Sequence, residues 1–202
     1  MRTFIIASTA AALFTSAAFT QEASRSIASI PDLSGIWAHV SLPGLEPPPS
    51  GPGPVVNKSR LPNGVGNLAQ LVGDYSNPIL QPWAADVVKR LGEISLSGVP
   101  YPNPFNQCWP PGVPLIFSNI GMQMLQKPHE IIILYAENHQ VPRVRLNELH
   151  PAQLTPSWYG DSVGHYEGDM LVFDTVGIKV GPFAMVDMYG TPHTESLHVV
   201  ER

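Results

Sequence analysis

The chain has 202 residues, a formal net charge of −5, and only 13% charged residues, against a usual ~25%. Its 44% apolar content excludes wholesale disorder, and the absence of a basic footprint argues against nucleic acid as a partner. Cys108 is the one cysteine, which excludes an internal disulfide and any cysteine-cluster metal site. Next to Trp109 and two prolines, it reads as a buried, inert thiol or else a dimer link.

The opening MRTFIIASTAAALFTSAAFTQEA has one positive charge, an apolar Ala-rich run and small residues at Ser16-Ala17-Ala18. That is the layout of a secretory signal peptide over residues 1–20, cleaved between 18 and 23. The run is shorter than the ~20 apolar residues of a membrane span and is broken by Ser8, Thr9, Thr15 and Ser16. The expected location is therefore periplasmic or secreted, with no membrane span after cleavage. What remains is one domain's worth of chain, a single β domain over 30–202.

PDLSGIWAHV predicts a first strand from about Ile36. The prolines and glycines that follow rule out helix or inner strand and predict a strap over 43–56. From Gln81 the spacing of Trp83, Val87 and Leu91 behind Pro82 predicts an amphipathic helix over about 82–94, with those three on one face. A second proline-rich loop covers 100–114. Met122 and Met124, two apart, line one strand face, where core packing is the ordinary role.

Residues 130–146 read as two strands around a turn at Glu137-Asn138, which sets Glu130 against Arg145 and Ile132 against Arg143. One face then holds Ile131, Ile133, Tyr135, Val144 and Leu146. The other mixes Ile132, Leu134 and Val141 with His139, Arg143 and Arg145. Pro142 costs a ladder bond.

Gly160-Asp161-Ser162-Val163-Gly164 matches the nucleophile-elbow pattern, with Asp174 and His193 following in order. An elbow needs strand, sharp turn and helix, whereas Ser162 stands in an alternating run that leads to another strand, so the elbow fails on context. A two-residue turn at Glu167-Gly168 instead places Asp161 across from Asp174, Val163 from Val172 and His165 from Met170. Facing carboxylates repel; relief would come from a shared proton, from Arg143 or Arg145, or from a cation. The bland alternative leaves both at solvated strand ends. TPHTESLHVVER predicts a final strand with His193 and Glu195 on one face and His198 on the other. No dinucleotide, Walker or HExxH signature is present; no cofactor and no metal are expected.

DLSGIW near the start, TPSWYGDSVGHYEGDMLVFDT and the closing GTPHTESLHVVER together resemble a family of exported bacterial proteins of unknown function, over about residues 32–202. Such relatives would be expected to run on past Arg202, so truncation or a different closure is expected. Gly35-Ile36-Trp37 also resembles the G-x-W of lipocalins and other calycins, which implies an up-and-down antiparallel barrel.

The expected fold is mainly β: an antiparallel meander, calycin-like barrel or strongly curved sheet, with one amphipathic helix and long proline-rich loops. Its mixed face, with Arg143, His139, Asp161, Asp174 and His165, would line a pocket for a small apolar or aromatic molecule bound by His139, Arg143, Arg145 and Tyr159, the arginines meeting a carboxylate or phenolate on it. The alternative is acid–base catalysis (dehydration, isomerisation or hydrolysis) by Asp161, Asp174, His165 and His193. A third reading is a structural, oligomer-forming protein.

Overall fold

The computed structural model describes residues 30–38, 55–118, 121–136 and 141–202. The signal peptide, most of the strap over 43–56, the turn at Glu137-Asn138 and His139 lie outside the described residues.

Among the described residues seven strands form one sheet in sequence order: β1 Gly35–Trp37, β2 Met122–Gln126, β3 Glu130–Tyr135, β4 Arg143–Leu146, β5 Asp161–Glu167, β6 Met170–Val176 and β7 Val199–Glu201. The sheet curls into a half-barrel with one helix beside it. Alternation puts Ile131, Ile133, Val144 and Leu146 on its inner face, where they pack with Met124 and Phe173. The outer face carries Arg143, Arg145, Asp161, His165 and Asp174. Glu130 pairs with Arg145 and Ile132 with Arg143, as the sequence register requires.

The expectation of a purely antiparallel meander is corrected by one pair. β4 and β5 run parallel, Val144 beside Ser162 and Leu146 beside Gly164, so the sheet is mixed. Parallel neighbours need a crossover of about a dozen residues or more, and segment 147–160 supplies it. Asn147, at φ 58°, turns the chain out of β4 while its amide donates to the Gly164 carbonyl. Ser157 then meets Ile178 in a parallel bridge.

The β5–β6 loop is Gly168-Asp169, one residue beyond Glu167-Gly168, because Glu167 pairs with Met170. Gly168 sits at φ 68°, so glycine takes the left-handed first loop position that a side chain would resist. That slide moves every partner by two. Asp161 faces Val176, Val163 faces Asp174 and His165 faces Val172. A shift of two preserves the side of the sheet, so Asp161 and Asp174 share the outer face as diagonal neighbours.

Helix α1 spans Pro82–Leu96, with proline in its first turn where a missing amide costs nothing. Its buried residues are Ala84, Val88, Gly92 and Ser95, whereas Trp83 is 47% exposed. The buried face is thus turned by one residue from the expected Trp83-Val87-Leu91 stripe. Small residues decide this: a Cβ on Gly92 would stand 3.2 Å from Val72 Cγ1, and one on Gly73 only 2.6 Å from Val88 Cγ1. The 72–73 backbone can approach the helix only on its Ala/Gly side. Val55 and Tyr189 complete that cluster around Val88.

Cys108 is exposed, contrary to the buried thiol expected, because it turns at φ 56° in the proline-rich loop while Trp109 packs edge-on against Trp158. The last strand is shorter than expected. Residues 195–196 form a turn in which the Leu197 amide bonds the Thr194 carbonyl, and pairing starts only at Val199. Among the described residues no helix is long and apolar enough to cross a membrane.

Candidate functional site

The two aspartates are joined by a residue the sequence patterns did not single out. His150, carried by the β4–β5 crossover, places Nδ1 2.7 Å from Asp161 Oδ1 and Nε2 3.1 Å from Asp174 Oδ1. Both carboxylates are acceptors, so both ring nitrogens must donate, which is the imidazolium form. Arg145 grips Asp161 from the other side in a two-pronged bond, Nη1 to Oδ2 at 2.8 Å and Nη2 to Oδ1 at 3.0 Å, while its Nε donates to Glu148. His198 Nε2 lies 2.9 Å from Asp174 Oδ1. Carboxylate repulsion is therefore relieved by an arginine and two histidines.

Each charge sustains its neighbour. Arg145's hydrogen bonds hold Asp161 below its ordinary pKa of 3.8, against a smaller upward pull from burial, and His150 adds to the lowering. Burial pushes Asp174 up, but the bonds from His198 and His150 outweigh it and leave it lowered. Burial pulls His150 down, and its two carboxylates overcome that to raise it above 6.5.

The signs define a pH window. Lowered carboxylates stabilise the fold fully above 3.8 and lose that as pH falls through their folded values. A raised histidine stabilises fully below 6.5 and loses that as pH rises through its folded value. His150→Ala is therefore expected to cost about 1 kcal/mol between those limits, the 38% exposure of Asp174 screening its share, and less on either side. Urea unfolding of both proteins across pH checks this, and a cost independent of pH would contradict it.

This cluster lines neither of two cavities among the described residues. A cavity of about 570 Å³ opens on the inner face and is lined mainly by Trp37, Phe117, Met122, Met124, Tyr135 and Phe173. Ile116, Ile133 and Leu171 complete its apolar wall, and its ionisable lining is Tyr135, Asp169, Glu201 and Arg202. The expected mixed wall is thereby corrected: Arg145, Asp161 and Asp174 stand on the opposite face of the same sheet. Arg143 is exposed, 3.9 Å from Glu130. His165 is exposed and bonds Glu167 at 3.0 Å. His193 is tied to the neighbouring Thr194 carbonyl and bonds neither aspartate.

Ser162, the second residue of β5, points inward, where its Oγ lies 2.8 Å from Thr175 Oγ1, on the face opposite Asp174. Among the described residues no histidine bonds it, and the strand context makes it no nucleophile elbow. Tyr159 is buried with Val113, Ile116 and Ile178, stacked at 6.1 Å on Tyr135, one ring behind the cavity wall. Among the described residues its hydroxyl has no hydrogen-bond partner. Nor are any three His, Cys, Asp or Glu residues among them grouped so as to hold a metal ion.

Glu201 is the chemically distinctive group in the cavity. It points inward because Val199, Glu201 and Phe173 share a face through the β6–β7 pairing. Burial among apolar groups pushes its pKa from 4.5 up to about 7. Burial raises Tyr135 as well, with further contributions from the Glu201 and Tyr159 charges. The signal for Glu201 was in the sequence: an acid alternating with valine in LHVVE takes the valine's face. His150, in an aperiodic loop, gave none.

Comparison with known protein families, with curated proteins and with solved structures gives no match.

Proposed function

We propose that this is an exported protein that binds a small, largely apolar molecule in the cavity of its half-barrel. The observation that carries the reading is the cavity itself: about 570 Å³, walled by aliphatic, methionine and aromatic side chains with a few polar groups among them. That is the usual size and make-up of a small-molecule site. Export is supported by the signal-like first 23 residues. Met122 and Met124 suit such a wall, since thioethers adapt to ligand shape.

The finer fold assignment is calycin-like. It is supported by Gly35-Ile36-Trp37 opening the sheet with Trp37 on the cavity wall, and the parallel β4–β5 pair departs from that pattern. Membership of the exported bacterial family rests on the DLSGIW, WYGDSVGHYEGD and GTPHTESLHVVER segments. Acid–base catalysis is the second reading, favoured by one observation: Glu201, with a pKa near neutrality, beside Tyr135 in the cavity. In that reading Glu201 takes the proton-transfer role expected of Asp161 and Asp174.

Titration with 1-dodecanol, followed by Trp fluorescence and calorimetry, tests the binding reading. Saturation at one molecule per chain is expected, lost when Leu171→Trp fills the cavity in a protein of unchanged circular dichroism. Binding that survives this substitution would contradict it.

A further inference from the structure

We propose that the ligand of this cavity is a lipophilic amine, its apolar body on the methionine and aromatic wall and its ammonium against the Glu201 carboxylate. The inference rests on the binding reading above and adds the ligand's charge. An anionic end was expected from the sequence because arginines were expected in the wall. Arg143 and Arg145 stand on the other face of the sheet, and an acid stands in the wall instead.

Three observations converge on a cation. Among the described residues, no ion pair or hydrogen bond engages the Glu201 carboxyl, although it is largely buried in an apolar wall. The other charged lining groups, Asp169 and Arg202, are both exposed and opposite in sign, and neither forms an ion pair with Glu201. Trp37, Phe117, Tyr135 and Phe173 supply four aromatic rings around the same space, and ring faces attract an organic ammonium most strongly where water is excluded. A carboxylate held in an apolar wall is destabilised until a cation reaches it. An amine supplies that cation, whereas a fatty acid would add a second negative charge beside the first.

The upward shift of Glu201 to about 7 adds a pH dependence of known sign. The carboxyl is ionised above that value and neutral below it, so amine affinity rises with pH. The groups facing it are Tyr135, Tyr159 behind Tyr135, Asp169 and Arg202, and burial raises both tyrosines further above their ordinary value, so neither changes charge in the neutral range.

Dodecylamine, 1-dodecanol and dodecanoic acid share one apolar body and separate the charges. At about pH 8, the amine is expected to bind at least ~10-fold tighter than the alcohol, and the acid more weakly than either. At about pH 5 the amine's advantage shrinks severalfold. Glu201→Gln abolishes the advantage and its pH dependence while alcohol binding persists. Glu93→Gln, which removes the same formal charge from the exposed side of α1, leaves the advantage intact. Equal binding of amine and alcohol, tightest binding of the acid, or an advantage that survives Glu201→Gln would overturn the inference and leave the cavity reading standing. Should Glu201→Gln fail to fold, the pH series on the unaltered protein decides by itself. Failure of all three probes to bind would overturn the cavity reading instead.

Discussion

Glu201→Gln is expected to stabilise the protein by about 2 kcal/mol at about pH 8 and to leave it unchanged near pH 4. The folded state raises this carboxyl from 4.5 to about 7 by burial. A group raised on folding keeps its full contribution below the unfolded value and loses it as pH climbs to the folded one. The fold therefore carries a penalty that grows between 4.5 and about 7 and is complete above. Glutamine fills the same space and cannot ionise. The gain falls short of the roughly 3 kcal/mol equivalent of the full shift because the residue keeps partial contact with solvent. Thermal or urea unfolding at the two pH values measures it. A neutral or destabilised variant at the alkaline pH would mean that the carboxylate has a partner in the fold.

Gly160→Ala is expected to cost about 3 kcal/mol, the sum of backbone strain and overpacking. Gly160 lies at φ 69°, and a Cβ there would stand 2.6 Å from the Val176 carbonyl oxygen and 2.8 Å from Thr175 Cγ2. Neither neighbour can yield without parting β5 from β6. The residue adjoins Asp161, so the displacement also loosens the His150 and Arg145 bonds. Equilibrium urea unfolding gives the number, and a loss under about 1 kcal/mol would show that the start of β5 is looser than this contact geometry requires.

Alternation made the inner face legible. Ile131, Ile133, Val144 and Leu146 follow from a period of two, and the β3–β4 register follows from their pairing. Alternation could not say which face was concave, and that is why the arginines and aspartates were expected to line a pocket. Mixed polarity marked the outer face of a curled sheet, whose ionic cluster faces solvent while the more uniformly apolar side curls around space. The parallel β4–β5 pair was hidden because segment 147–160 has no periodicity from which a crossover could be inferred. His150 was hidden with it. His198 bonds Asp174 on the outer face, but the strand leading to it was extended too far back, through Thr194–Leu197, where the chain turns. The hairpin at Gly168 slid by one residue because the left-handed position belongs to the glycine, and Glu167 could not take it cheaply.

Neighbouring residues of β3 face opposite sides of the sheet, which supplies the most direct test. Ile133 lines the cavity and Ile132 sits beside Arg143 on the outer face. With isoleucine and methionine methyls isotopically labelled, addition of dodecylamine is expected to shift the Met122, Met124 and Ile133 methyl resonances and to give contacts from them to the alkyl chain, with Ile132 unmoved. Shifts confined to Ile132 and the His150 ring would put the ligand on the ionic face and contradict the account.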